Sequence, residues 1–237
     1  MKELKNLQNS IRFLVSVILI FSSFLIFAQA PDWFNEAVKK KRAGMGLKTA
    51  PEFVDDLWDT IYVISTKYEL PPTLIAALIS IESNFANVKG PGGVLGMMQI
   101  LPSTAKGISK LLGLEVPKNG WEELLTNYKL NITYGTAYIS YLYKKHGTFQ
   151  KALEEYNNGK NKTKYAELIL KQYKYYDELH TTELSKKQSA LSQTSVTSVS
   201  NATSTNINTS LDTPQSTESV NASESIFPVL FGVNKDK

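Results

Sequence analysis

Cysteine is absent from the 237 residues, and histidine occurs only twice, at His146 and His180. The first absence excludes a disulfide framework, a thiol nucleophile and cysteine-ligated zinc or iron–sulfur centres. Two histidines leave little material for a Ser-His-Asp triad. No metal or cofactor is expected. Concentrated positive charge is lacking too. The formal charge of +4 divides into +2 for residues 1–30, +3 for 31–180 and −1 for 181–237. No segment carries the dense basic charge of a nucleic-acid surface, so no nucleic-acid partner is expected. Alternating strand patterns are scarce. The chain has room for one ordinary domain with extensions, and that domain reads as mainly α.

Residues 1–30 read as an export signal. Lys2, Lys5 and Arg12 precede an apolar stretch from Phe13 to Ala28, and Ala28-Gln29-Ala30 offers the small-x-small pattern of a cleavage site. An uncleaved anchor is the alternative, but about 16 apolar residues are few for a span needing roughly 20. The expected destination is the periplasm or cell wall of a bacterium, with no membrane contact once the signal is removed. No cysteine at the junction is available for a lipid anchor.

Residues 31–48, with Lys39-Lys40-Lys41-Arg42 before Gly44 and Gly46, read as a basic lead-in linker. The folded domain is expected over 49–180. Thr49 and Glu52 have capping-box spacing, and Phe53, Val54, Leu57, Trp58, Ile61 and Ile64 recur at helical steps. Further helices are expected from Pro72 to about Asn84 and over 102–112, 127–146, 148–157 and 163–179, punctuated by glycine and proline. Residues 181–225 hold 21 Ser or Thr in 45 positions, a composition that reads as a disordered tether. The apolar run Ile226–Val233 within 226–237 could dock on an envelope complex or lie against the domain surface.

One carboxylate stands out. On a helix beginning at Pro72, Glu82 follows Leu78 by four residues and Ile75 by seven, which places it with the apolar residues. Burial and the negative end of the helix dipole both disfavour its anion. A carboxyl kept protonated near neutrality is suited to general-acid catalysis. The alternative is a helix-end glutamate bonded to nearby backbone. Gly93-Val94-Leu95-Gly96-Met97-Met98-Gln99 follows, with Gln99 offering both donor and acceptor groups.

Together, Glu82-Ser83-Asn84-Phe85, Gly93 to Gln99 with Pro102-Ser103-Thr104-Ala105, Asn131-Ile132 with Gly135 and Tyr138, and Ala152-Leu153-Glu154-Glu155-Tyr156-Asn157-Asn158-Gly159 resemble the soluble lytic transglycosylase (SLT) family. The stretch from Tyr165 to Tyr173 resembles its closing helix. The resemblance covers roughly residues 50–176 and implies a lysozyme-like, goose-type α domain that cuts peptidoglycan. It implies that Glu82 is the catalytic acid, that Gln99, Met98, Tyr156 and Asn157 line the sugar cleft, and that Ser83 and Gly96 give structural support. Gly90 departs from the family's usual Ser, and Val94, Met97 and Asn158 depart more mildly.

The implied reaction cleaves the β-1,4 bond between N-acetylmuramic acid and N-acetylglucosamine and closes a 1,6-anhydro ring, with Glu82 as acid and then base. Tyr156 is expected to hold Glu82 by a hydrogen bond. A hydrolase of the goose-lysozyme type would need a second carboxylate. Glu154 and Glu155 are at hand but read better as surface charges. An inactive wall-binding scaffold of a secretion or conjugation apparatus is the remaining alternative. Most of the ten tyrosines from Tyr128 to Tyr176, and Trp33, Trp58 and Trp121, are assigned to packing.

Overall fold

A computed structural model of the chain describes residues 29–157 and 159–200, with side chains through Ser192. One compact unit ends at Gln193, and a second begins at Thr194. The first contains α1 (Asp32–Ala43), α2 (Pro51–Lys67), α3 (Pro72–Glu82), α4 (Pro102–Leu112), the single turn α5 (Glu123–Thr126), α6 (Tyr128–His146) and α7 (Phe149–Tyr156). A long α8 (Lys162–Ser200) follows. Between α3 and α4 the chain makes a small loop closed by the isolated antiparallel bridges Lys89–Leu95 and Leu95–Ile100. The mainly α expectation agrees with this architecture.

The helices start and stop where their sequences direct. Pro51, Pro72 and Pro102 each open a helix, at the position where a missing N–H costs nothing. Asn127 caps α6 by accepting from the Leu130 N–H at 3.1 Å, and Thr148 caps α7 by accepting from Lys151. Gly113 and Gly147 end α4 and α6 in the left-handed conformation that a side chain disfavours. α6 is the hub, packing on α2, α4, α5 and α7. α3 lies deepest: every residue from Thr73 to Ser80 is buried. A helix apolar all round has to be enclosed on every side, and this one is.

Three expectations are corrected, and one short element is added. The lead-in is not a linker: α1 occupies most of it and buries Trp33, Phe34 and Val38. Its basic run supplies the last turn of that helix, where Lys40, Lys41 and Arg42 oppose the dipole. Thr49 does not cap α2. Ala50 is the cap residue, and the Thr49 hydroxyl accepts from Arg42 Nε at 3.1 Å. The short turn α5 was not foreseen.

The third correction concerns the tether, whose first 20 residues are helical. There the hydroxyls of Thr182, Ser185, Ser189 and Ser192 donate to carbonyls one turn back, so these side chains do not compete with the helix for backbone N–H groups. Elongating an existing helix also avoids the cost of nucleation. Glu183 is fixed besides: it pairs with Lys187 at 2.7 Å and accepts from the backbone of Asp32 and Trp33. Residues 1–28 of the expected export signal (1–30), residues 201–225 of the expected tether and the apolar run Ile226–Val233 lie outside the described residues. Ala30, at the expected cleavage boundary, belongs to the packed unit: it is buried and donates its N–H to Asp55 Oδ1 at 2.8 Å. No helix among the described residues is long and apolar enough to cross a membrane.

Phe34 shows how firmly α1 is built in. Its ring is fully buried, 4.9 Å from that of Trp58 and edge-on to Phe85 at 5.6 Å. Phe34→Ala is expected to cost about 3–5 kcal/mol. The loss would appear as a lower urea midpoint at unchanged m-value. An unchanged midpoint would place α1 outside the cooperative unit.

Candidate active site

Glu82 is the last helical residue of α3. Behind it the chain stops abruptly. Ser83 leaves the helix, and Asn84 (φ 51°) and Phe85 (φ 60°) are both left-handed. Two consecutive non-glycine residues in that region are costly, and they persist only where their surroundings hold them. The Phe85 ring is fully buried against Phe34. The Ser83 hydroxyl donates to Met97 O at 2.8 Å and to Ile79 O at 3.2 Å, joining the helix end to the following loop.

The Glu82 carboxyl sits half-buried at this end. Burial pushes its pKa up to about 7, against a partly compensating hydrogen bond from the Tyr165 hydroxyl to Oε1. Tyr165 itself is held far above its ordinary pKa, first by burial and then by the Glu82 charge, so it remains a donor at all relevant pH. The two side chains come from α3 and from the first turn of α8. The expected partner was Tyr156, and this is corrected. The Tyr156 hydroxyl donates to Met98 O at 2.9 Å, and its ring lies 5.2 Å from that of Tyr138. Tyr156 is near enough to Glu82 for the carboxylate charge to help raise its pKa, but burial dominates.

The loop from Gly90 to Gln99 is fixed from below. Gly96, at φ 73°, has no room for a side chain: a Cβ there would lie 2.2 Å from Leu124 O and 2.4 Å from Asn131 Nδ2. Asn131, fully buried, accepts from Met98 N at 2.7 Å and donates to Leu95 O at 2.8 Å. The expected sugar contact of Met98 is corrected as well. Its side chain is fully buried, against the face of Gly135, where a Cβ would come within 2.4 Å of its sulfur. Gln99 (φ 48°) turns its amide inward, donating to Val88 O at 2.9 Å and Gly96 O at 2.7 Å. Its Oε1 lies 2.0 Å from where a Cβ of residue 90 would stand. Gly90, the departure from the family's Ser, therefore makes room for the Gln99 carboxamide.

Asn157 follows α7 and accepts from Gly159 N at 2.7 Å. Glu154 is taken up by Gln150 at 3.1 Å, Lys151 at 3.2 Å and Thr163 at 3.2 Å, which hold its pKa below the usual value. Glu155 pairs with Lys151 and Lys162. Neither contributes to the Glu82 shift. Sequence reasoning missed roles for two side chains. Tyr165 carried no signal separating it from the other tyrosines. Asn131 was quoted within a motif, and a buried amide on the inner face of α6 was the available hint.

A half-buried carboxyl ends a helix with its serine under a glycine-bounded Met-Met-Gln loop, and the sequence model of the transglycosylase SLT domain matches residues 59–178. The chain belongs to the SLT family. It is 29% identical over 146 residues to the membrane-bound lytic murein transglycosylase E of Buchnera aphidicola subsp. Acyrthosiphon pisum (strain APS), covering 61% of this chain and 66% of that protein. Among solved structures, it is similar to an inactive mutant of the lytic transglycosylase Slt from Pseudomonas aeruginosa (20% identity, TM-score 0.46). That match covers 51% of this chain and 24% of the other. It is also similar to the 70 kDa soluble lytic transglycosylase from Escherichia coli (22% identity, TM-score 0.48), covering 52% and 24%. The SLT chain thus spans about a quarter of those solved proteins.

The Glu82 environment has a consequence for stability. Its pKa of about 7 in the folded chain stands above the ordinary 4.5, so the folded state holds this proton more tightly than the unfolded state. That contribution is complete below the unfolded value and is lost as pH rises through the folded one, about 3 kcal/mol in all. Glu82→Gln should remove it. Urea midpoints should show wild type losing stability relative to the variant between pH 4.5 and about 7. Parallel pH curves for the two proteins would contradict the raised pKa.

Proposed function

We propose that this SLT domain is a peptidoglycan lytic transglycosylase in which Glu82 alone serves as acid and base. The observation that supports it is a carboxyl poised at about pH 7 by burial, held by one permanent donor, with no second carboxylate shifting it. In the proposed reaction, protonated Glu82 gives its proton to the glycosidic oxygen as the bond from C1 of N-acetylmuramic acid breaks. The N-acetyl oxygen of the same sugar bonds to C1, as in substrate-assisted glycosidases. Glu82, now anionic, takes the proton of the C6 hydroxyl while O6 displaces the N-acetyl oxygen at C1. A 1,6-anhydro ring closes, the carboxyl ends protonated, and no water is consumed.

Tyr165 has two effects in this scheme. It orients the carboxyl, and its bond to the anion lowers a pKa that burial alone would raise further. A group with pKa near the working pH can both give and take a proton. Asn157, its Oδ1 engaged by Gly159, has its Nδ2 to offer a sugar hydroxyl. Gln99 braces the loop with both amide hydrogens. The hydrolytic alternative needs a base carboxylate to activate water. Glu154 and Glu155, the residues considered for it, are committed to ion pairs with Lys151 on α7 and, for Glu155, also with Lys162 on α8. The glycan strands of peptidoglycan are the proposed partner, and an exported location is what that substrate requires.

Product analysis on purified sacculi tests the reading. Wild type is expected to release muropeptides ending in anhydro-muramic acid, each lighter by one water than a hydrolytic product. Glu82→Gln should lower the rate about 10²–10⁴-fold. Reducing ends from wild type would establish a hydrolase, and undiminished release by the variant would remove Glu82 from the chemistry.

A further inference from the structure

We propose that Arg42, on α1, is a positioning residue for Glu82, acting through the carbonyl of Phe85. Arg42 lies outside the residues 59–178 matched by the family model, on a segment whose composition reads as a solvated basic run. The structure uses it differently. Its Nη1 donates to Phe85 O at 2.8 Å, its Nε to Thr49 Oγ1 at 3.1 Å and its Nη2 to Lys48 O at 3.2 Å. The guanidinium also lies 4.5 Å from the centroid of the Phe53 ring. All three nitrogens are engaged and one face is covered, so the group is held in a single orientation. Burial lowers its pKa, yet a guanidinium keeps its charge at any working pH.

The atom that Arg42 holds matters because of where it is. Phe85 is the second of two left-handed residues that end the catalytic helix three positions after Glu82. That turn is intrinsically unfavourable, since a right-handed conformation at Asn84 and Phe85 is the default for side-chain-bearing residues. Three contacts oppose relaxation: the Phe85 ring in the core, the Ser83 hydroxyl on Met97 O, and the charged bond from Arg42. Of the two polar anchors the last is the stronger type, because a charge-assisted bond is roughly twice a neutral one. It is also the anchor that comes from a different helix and fixes the backbone itself. Without it only the Phe85 ring and the Ser83 bond resist unwinding of the turn or extension of α3. Either change moves the Glu82 backbone relative to Tyr165, which is anchored separately on α8.

The effect is transmitted through geometry. The Glu82 pKa is set by burial and by Tyr165, with no direct contribution from the Arg42 charge. A change in that pKa on replacing Arg42 therefore reports movement of the carboxyl. Loosening weakens the Tyr165 bond, which lowers the pKa, but also exposes the group to water, which removes the larger, raising influence of burial, so the pKa should fall from about 7 toward 4.5. The inference rests on Glu82 being the acid of the proposed reaction, and the experiment keeps the two questions apart.

The full chain carrying Arg42→Met is compared with wild type and Arg42→Lys, at a temperature where circular dichroism shows all three folded. Turnover on sacculi is measured across pH, and the Glu82 carboxyl is titrated by 13C NMR. In Arg42→Met, kcat should drop roughly 10- to 100-fold at unchanged KM. The alkaline limb of its profile should move to lower pH together with the NMR midpoint, and Arg42→Lys should recover part of both. A folded Arg42→Met with wild-type kcat, pH profile and Glu82 midpoint would overturn the proposal, leaving Arg42 a purely structural residue. If Arg42→Met does not fold, Arg42→Lys decides: a displaced limb and midpoint support the role, and wild-type values overturn it. An inactive wild type would count against the proposed reaction, while the NMR midpoints would still decide whether Arg42 positions Glu82.

Discussion

A carboxyl at the end of a helix with no wet face governs this structure. α3 is enclosed on all sides from Thr73 to Ser80, and Glu82 closes it. Charging that group requires part of its hydration to be given up, and the Tyr165 hydroxyl returns only a fraction of what water would supply. The balance leaves the proton equally willing to stay or go near neutrality. A carboxyl better solvated would be ionised before substrate arrived. One buried without Tyr165 would not readily release its proton.

Holding the group there takes material from most of the chain. The left-handed turn at Asn84 and Phe85 stops α3 at Glu82, and α1 supports it through Phe34 and Arg42. The loop opposite is fixed by α6, whose Asn131 takes both Met98 N and Leu95 O, and by α7, whose Tyr156 takes Met98 O. α8 carries Tyr165 and reaches back to the buried helix through Tyr176 on Ser80 and Asp177 on Thr73. Every one of these bonds links segments far apart in sequence, so the site is completed only when the unit is folded.

Much of this was legible in the sequence. Prolines at the heads of α2, α3 and α4 and glycines at the ends of α4 and α6 gave the helix limits by local rules. Glu82 declared itself because a charge among Ile75, Leu78 and Ile79 breaks the apolar pattern. What escaped were matters of tertiary partnership. Tyr156 and Tyr165 are chemically identical, and which one reaches Glu82 depends on the angle between α7 and α8. α1 read as a linker because Lys39 to Arg42 mask the spacing of Trp33, Phe34 and Val38, and because the Arg42 acceptor is a backbone carbonyl 43 residues away. The family resemblance alone places Met98 in the sugar cleft; a methionine is more often core filler, and here its sulfur fills the hollow left by Gly135. The Ser/Thr-rich stretch over 181–225 read as disordered by composition, whereas in its described part the hydroxyls of Thr182, Ser185, Ser189 and Ser192 bond back along a helix already begun.

The central claim concerns one proton, and direct titration of the Glu82 carboxyl in the wild-type chain addresses it. With 13C-labelled glutamate and Glu82→Gln to assign the signal, the carboxyl resonance should move with a midpoint of about 7. A midpoint at the ordinary 4.5 would show an ionised, hydrated side chain at neutral pH and contradict the account.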